Sequence, residues 1–328
     1  MNRILIVGYG SIGKRHVRNI LNYTNSNIII FTKRSDLDFK TNRVTVSDSL
    51  DYCLLQKPNI GFICNETSFH VSTALQLAKA GLDLFLEKPL SDSIKGVNDL
   101  KRIVNKKRLI TQMGYHMRFH DCIIKIRKLI KQKKIGRVIS IQSENGSYFP
   151  DWHPYEDYTK SYAGKKRLGG GIILTQIHDI DYLYWFFGKP KSIFSFAGKL
   201  SDLKITSEDY SASIIQFPNR VTVELHLDFF QGPEYRRCKI KGTNGIIEWN
   251  SNENKIKFFN NKKKKWEIIL NFNTYERNQL YIDEIKHFFK CVKTRKKTIN
   301  PLEEGIKTLN IALAMKKSSE TKKLIDMK

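Results

Sequence analysis

Asn2-Arg-Ile-Leu-Ile-Val7, then Gly8-Tyr9-Gly10-Ser11-Ile12-Gly13, then Lys14-Arg-His-Val-Arg-Asn-Ile-Leu-Asn22, is the stretch on which the reading of this chain turns. The apolar run reads as a buried parallel strand, because strands covered by helices on both faces carry continuous rather than alternating hydrophobic residues. Beyond the glycines, Ile12, Val17, Ile20 and Leu21 recur at helical spacing. A strand, a G-x-G-x-x-G turn and a helix open a βαβ unit in which the glycines serve the tight turn, the approach to a pyrophosphate and helix–strand packing. The helix N-terminus offers its free N–H groups to the phosphates. Gly8, Tyr9, Gly10, Ser11, Ile12 and Gly13 are therefore candidate dinucleotide-binding residues.

Outward from this motif the alternation continues, with strands predicted over 27–31, 43–46, 59–64, 82–87 and 108–113 and helices over 49–56, 70–80 and 91–106. Strands alternating with helices of that length imply a parallel sheet. After a helix over 121–133 the pattern changes to strand-like segments at 137–147, 191–200, 210–217, 221–229, 236–242, 245–250, 255–260 and 266–272, followed by helices over 275–291 and 302–318. Turns at 218–220 and 242–245 are short enough for antiparallel hairpins. The expected fold is α/β: a Rossmann domain over residues 1–118, then an α/β domain over 119–328 with an open, mainly antiparallel sheet. Residues 148–171, without periodicity and rich in aromatic, charged and glycine residues, form a loop long enough to expect function of it.

Composition fits this division. A chain of 328 residues is too long for one comfortable core, and 41% hydrophobic with 27% charged residues describes a soluble globular protein rather than a disordered one or a membrane bundle. Its five cysteines are scattered, with no C-x-x-C pair and no Cys/His cluster, which implies reduced thiols, a cytoplasmic location and no metal site. No window approaches the roughly 18 apolar residues of a membrane span, and the N-terminus has no leader pattern, so a chain neither exported nor embedded is expected. The formal charge of +25 would by itself suggest a nucleic-acid partner. The excess is spread, with 18 basic and 9 acidic residues over 1–118 and 39 and 23 over the rest. Neither half is a basic tail, so no nucleic-acid partner is expected, although the field would favour anionic substrates.

Lys88, in Glu87-Lys88-Pro89, falls at the end of a predicted parallel strand, where open α/β sheets bind their ligands. Its ammonium could hold a substrate oxygen and share in proton transfer. Taken alone it would pass for a surface lysine before a helix. His178 follows Gly169-Gly-Gly171 on an apolar stretch, and on one continuous helix residues 174, 178, 181 and 185 would share a face. Histidines in such places are more often core than catalytic, but the triple glycine admits close approach of a ligand. The second strand ends in Lys33-Arg34-Ser35, with no acid before Asp36. An acid there would accept from the ribose 2′-hydroxyl of NAD, whereas Arg34 with Lys33 and Ser35 suits the 2′-phosphate of NADP. NADP is favoured slightly over NAD.

Together Val7 to Gly13, Cys64-Asn-Glu-Thr-Ser-Phe-His70, Glu87-Lys-Pro89, Gly114-Tyr-His-Met-Arg-Phe-His120 and Gly169 to Asp181 resemble the glucose–fructose oxidoreductase/inositol dehydrogenase (Gfo/Idh/MocA) family over nearly the whole chain. The resemblance implies an NAD(P)-dependent sugar oxidoreductase with Lys88 and His178 facing the nicotinamide and a cis Lys88–Pro89 peptide. It adds Asn65, Thr67, His70 and Glu87 to the cofactor-binding set. It offers Tyr115, Arg118, Trp152, Tyr158, Tyr162 and Thr175, with His178, as substrate-binding residues. Residues 148–162 are further similar to a branch found among surface-polysaccharide and nonulosonic-acid-type sugar genes, which implies a sugar or nucleotide-activated sugar substrate and a role in polysaccharide biosynthesis. Many members carry an aspartate four residues before the histidine; here that position is Leu174. Asp179, Asp181 or a distant residue would have to replace it. An open sheet face in the second domain suggests a homo-oligomer. The alternatives are a non-catalytic NAD(P)- or sugar-binding sensor or scaffold, and a nucleic-acid-binding protein using the positive charge.

Overall fold

The computed structural model describes residues 2–34, 37, 39, 41–154, 156–272 and 276–327. Two compact units emerge, one from residues up to His116 with Arg277–Leu309, the other from Met117–Glu276 with the chain from Asn310 onward. In the first, β1 (Arg3–Val7), α1 (Ser11–Tyr23), β2 (Asn27–Phe31), β3 (Val44–Ser47), α2 (Leu50–Leu55), β4 (Ile60–Ile63), α3 (His70–Ala80), β5 (Asp83–Leu86), α4 (Val97–Lys107) and β6 (Thr111–Met113) alternate. The strands are parallel in the order β3-β2-β1-β4-β5-β6. Strand order reverses between β1 and β4, whose ends Val7 and Ile63 are register partners. At such a switch point the two loops diverge and leave a crevice. The continuous burial of β4 and β5 is what a sheet covered on both faces requires.

Helix α4 starts at Val97, later than the expected residue 91. Ser91 Oγ accepts from the Ser93 N–H at 3.3 Å and Gly96 takes φ +75°, a left-handed conformation that ends the turn and opens the helix only afterwards.

A division at residue 118 leaves the first unit incomplete. α8 (Arg277–Thr294) returns Ile285 and Phe288 to its core, where Phe288 meets the stacked pair Phe62 and Phe85 edge-on, with ring centroids at 5.9 and 5.7 Å. The chain after α8 then covers the β6 edge. The Met113 N–H donates to Asn300 O at 2.8 Å, Thr298 Oγ1 donates to Thr111 O at 2.6 Å and the Leu302 N–H to Thr111 Oγ1 at 2.9 Å. An open edge strand and an apolar sheet face are both satisfied by sequence-distant chain.

The second unit begins with α5 (Asp121–Lys131) and β7 (Val138–Gly146), then runs through α6 (Ile172–Thr175) and α7 (Ile177–Phe187). After them come β8 (Ser192–Gly198), β9 (Tyr210–Gln216), β10 (Thr222–Asp228), β11 (Tyr235–Gly242), β12 (Gly245–Asn250), β13 (Lys255–Asn260) and β14 (Lys265–Asn271). The long α9 (Leu302–Thr321) and a short β15 (Ile325–Asp326) close the chain. The strand order is β14-β13-β12-β11-β7-β10-β9-β8-β15. Only β7 and β10 pair in parallel; every other neighbouring pair is antiparallel. Strict alternation buries Val223, Leu225 and Leu227 on one face, while the other exposes Phe194, Phe196 and Ile214. Short 3-10 turns follow β7 at Phe149–Trp152, Tyr158–Lys160, Tyr162–Gly164 and Lys166–Leu168. No described helix is long and apolar enough to cross a membrane.

Candidate active site

The glycine turn is built as a cradle. Gly8 has φ +95°, and a Cβ on it would lie 2.6 Å from the Asn65 backbone nitrogen; one on Gly13 would lie 2.2 Å from Gly8 O. Gly10, with nothing within 4 Å of its Cβ position, faces open space. It caps α1 with no side-chain hydrogen bond and with no acid in the first turn, so the N–H groups there are available to an anion. Across the switch point, Asn65 Oδ1 and Thr67 Oγ1 are buried without hydrogen-bond partners. Open space at Gly10, bare helical N–H groups and orphaned polar atoms suit a dinucleotide: Gly8 to Gly13 would hold its pyrophosphate, and Asn65 and Thr67 its nicotinamide half.

Tyr9 is half-buried against Phe39, ring centroids 5.7 Å apart. Burial pushes its phenol up, while Arg18 and Arg34 oppose the rise. Lys33 and Arg34 are exposed after β2, with the Arg34 N–H on Thr32 Oγ1 at 3.3 Å. Ser35 and Asp36, on which the cofactor argument also leaned, lie outside the described residues.

His70 and Glu87, both expected to meet the cofactor, have internal partners. The two ring nitrogens of His70 lie 2.7 Å from Pro89 O and 2.9 Å from Asn65 O, so the ring staples the β4 loop to the loop after β5. Burial lowers its pKa, against the pull of both carbonyls, each of which accepts only from a protonated ring nitrogen. Glu87 lies 2.7 Å from His16 Nε2 and accepts the Lys88 N–H at 3.2 Å. Gly114 leaves room for its carboxylate, since a Cβ there would lie 2.9 Å from Oε2. The backbone that carries Lys88 is therefore gripped through Glu87, and the Lys88–Pro89 peptide is cis. His16 is a residue that sequence reading missed, although it sits four residues after Ile12 and four before Ile20, in the same buried stripe of α1. Tyr115 is fully buried in this unit.

In the second unit the helix carrying His178 is not the continuous one expected. Gln176, at φ −95° and ψ 31°, breaks it into α6 and α7, so Leu174 and Thr175 belong to one turn and His178 to the next. Gly171, at φ +117°, precedes the single turn of α6, and Gln176 is held at the joint by Asn145 and Arg236. His178 and Thr175 are buried. Arg118, expected to select substrate, is buried and forks onto Asp181, with Nε and Nη2 at 2.8 and 2.7 Å from its carboxylate oxygens. Asp179 accepts from Tyr182 Oη at 2.6 Å and Asn145 Nδ2 at 2.8 Å, and pairs with Arg236 at 3.3 Å. Burial next to Asp179 raises the Tyr182 phenol well above its usual pKa, which keeps it a donor. Trp152 donates Nε1 to Ser147 Oγ at 2.9 Å and packs with Tyr158 around Phe149. Tyr162 is half-buried nearby in sequence. Among the described residues no His, Cys, Asp and Glu group could hold a metal ion.

Residues 2–115 match the NAD-binding Rossmann-fold model of the Gfo/Idh/MocA oxidoreductase family, and residues 127–327 match the model of its C-terminal α/β domain. The chain belongs to this family. It is an oxidoreductase with an NAD-binding Rossmann domain. Over 99% of its length it is 24% identical to the myo-inositol 2-dehydrogenase of Thermotoga maritima, covering 98% of that protein. Its fold is that of levoglucosan dehydrogenase in complex with NADH, with a TM-score of 0.87 at 16% identity, covering 100% of this chain and 99% of that one. The myo-inositol 2-dehydrogenase of Lactobacillus plantarum aligns with a TM-score of 0.82 at 21% identity, over 100% and 99% of the two chains.

Proposed function

We propose that this oxidoreductase transfers a hydride between a nicotinamide and a secondary alcohol carbon of a sugar, a cyclic polyol or a nucleotide-activated sugar. The carrying observation is the empty-sided glycine cradle after β1 with Lys88 fixed two strands away after β5, its backbone held by the His16-supported Glu87. The names of the relatives, myo-inositol 2-dehydrogenase and levoglucosan dehydrogenase, support the class of substrate. When bound, the dinucleotide supplies the hydride acceptor or donor. The chain supplies the rest: Lys88 holds the reacting oxygen, and His178 takes the hydroxyl proton as the carbon–hydrogen bond breaks. Thr175, with Tyr115, Trp152, Tyr158 and Tyr162, shapes substrate choice, while Arg118 acts by fixing Asp181.

NADP is the proposed cofactor in preference to NAD, because Arg34 and Lys33 follow β2 with no described acid beside them. A cytoplasmic homo-oligomer working on surface-polysaccharide sugars completes the reading. The test is to incubate the protein with inositols, aldoses and nucleotide sugars and either cofactor, following the absorbance of the reduced nicotinamide. Turnover of a member of this panel is expected, with kcat/KM higher for NADP and that preference lost in Arg34→Ala. Dinucleotide binding without turnover of any alcohol would overturn the catalytic reading. An NAD preference untouched by Arg34→Ala would overturn the cofactor assignment alone.

A further inference from the structure

From Gly169 to Leu183 every residue is buried except Gln176, at the joint of α6 and α7. The orientation of its amide is fixed by its partners. Oε1 accepts from Asn145 Nδ2 at 2.9 Å and from Arg236 Nη2 at 3.2 Å. A guanidinium has only donors, so the oxygen must face it and the NH2 must point the other way. Asn145 is fixed by the same logic. Its NH2 also donates to the Asp179 carboxylate at 2.8 Å, which leaves Oδ1 buried on the far side without a hydrogen-bond partner. Arg236 Nε is buried and unpartnered as well. Asn145 and Arg236 are register partners on adjacent strands β7 and β11, so these groups stand together.

Buried polar atoms are rarely left unpaired in a protein unless a ligand or water completes them. Here the buried unpaired atoms are one donor, Arg236 Nε, and one acceptor, Asn145 Oδ1, beside the outward NH2 of the half-buried Gln176, and the Arg236 charge is already opposed by Asp179 at 3.3 Å. A neutral wall of mixed donors and acceptors matches an alcohol, which both gives and takes a hydrogen bond, and gives a carboxylate or phosphate only a partial match. We propose that Gln176, Asn145 and Arg236 form a hydroxyl-recognition subsite two residues before His178, and that Gln176 determines which polyol is accepted. The inference rests on the reading that His178 meets the substrate alcohol. It also supplies a polar substrate contact on the segment where Leu174 replaces the aspartate of many relatives.

The test compares wild type with Gln176→Glu, which keeps an oxygen toward Asn145 and Arg236 but replaces the outward donor by a carboxylate oxygen, and with Gln176→Met, which removes both. The probe is the fastest-oxidised member of a panel holding myo-inositol, scyllo-inositol and D-xylose, together with its monodeoxy analogues. KM should rise about tenfold or more in both variants with kcat within about threefold, as for loss of a hydrogen bond to a substrate hydroxyl. The dissociation constant of the reduced dinucleotide should not move in either variant, and Gln176→Glu, which keeps an oxygen toward Asn145 and Arg236, should hold its melting temperature while Gln176→Met loses some stability. One monodeoxy analogue should be used equally well by wild type and Gln176→Met, which a merely structural role would not produce. An unchanged KM, or a KM rise matched by lost NADH affinity and no analogue blind to the substitution, overturns the subsite. Failure of wild type to oxidise any panel member would instead bring down the functional reading beneath it.

Discussion

Lys88 is held in place through its own backbone: its N–H is tied to the Glu87 carboxylate, which is in turn fixed by His16. Replacing Lys88 by Met keeps the aliphatic stem and this backbone grip but removes the ammonium. Turnover should fall by about a hundredfold or more while dinucleotide affinity persists, as for loss of a positioned acid/base group. Single-turnover rates and a fluorescence titration with reduced dinucleotide measure the two separately; unchanged turnover would remove Lys88 from the reaction. The glycine motif and the Glu-Lys-Pro tripeptide were legible in the sequence because both are short and local. His16 was not, since a histidine in a helical stripe carries no mark of which distant carboxylate it will meet. Arg118 was offered as a substrate residue by the family resemblance; its ion-pair partner, Asp181, lies 63 residues away.

Helix α5 is capped by His120, whose Nδ1 accepts from the Cys122 N–H at 3.1 Å and whose ring meets the buried Trp249 edge-on at 5.4 Å. Burial, with a smaller contribution from Arg236, lowers its pKa to about 4. Protonation would remove the capping lone pair and bury a cation. Because the folded pKa lies below the unfolded value of about 6.5, the unfolded chain binds more protons in the interval between them. The stabilisation is complete above about pH 6.5 and declines by about 3 kcal/mol as the pH falls towards 4. Denaturant titrations across this range should show a steeper loss of stability in wild type than in His120→Asn, which retains a capping oxygen and does not titrate. Equal slopes would show that another group governs the acid limb. The break between α6 and α7 belongs with such features: the triple glycine signalled an irregularity, but only the bonds of Gln176 to two strands placed it.

Phe194 and Phe196 on β8 and Ile214 on β9 share the exposed face of the large sheet, at 46, 58 and 47% exposure, enough apolar surface in one place to predict self-association. Light scattering should report a homo-oligomer that Phe196→Lys dissociates with little effect on melting of the single chain. A wild-type monomer at micromolar concentration would count against the oligomer. Two domains of the right classes could be read from the chain because hydrophobic periodicity and turn residues are properties of short windows, and because the βαβ motif is local. The expected division put the last two helices in the second domain, whereas α8 belongs to the first unit; an ordinary amphipathic helix does not show this, because its assignment depends on Phe62, Phe85 and the β6 edge, all more than 150 residues earlier in the chain. The sequence by itself determined the family, the parallel sheet and the dinucleotide motif. Only the tertiary structure decided the partners of the charged and polar residues, because a buried ion pair or amide contact is fixed by distance in space, and sequence separation does not encode it.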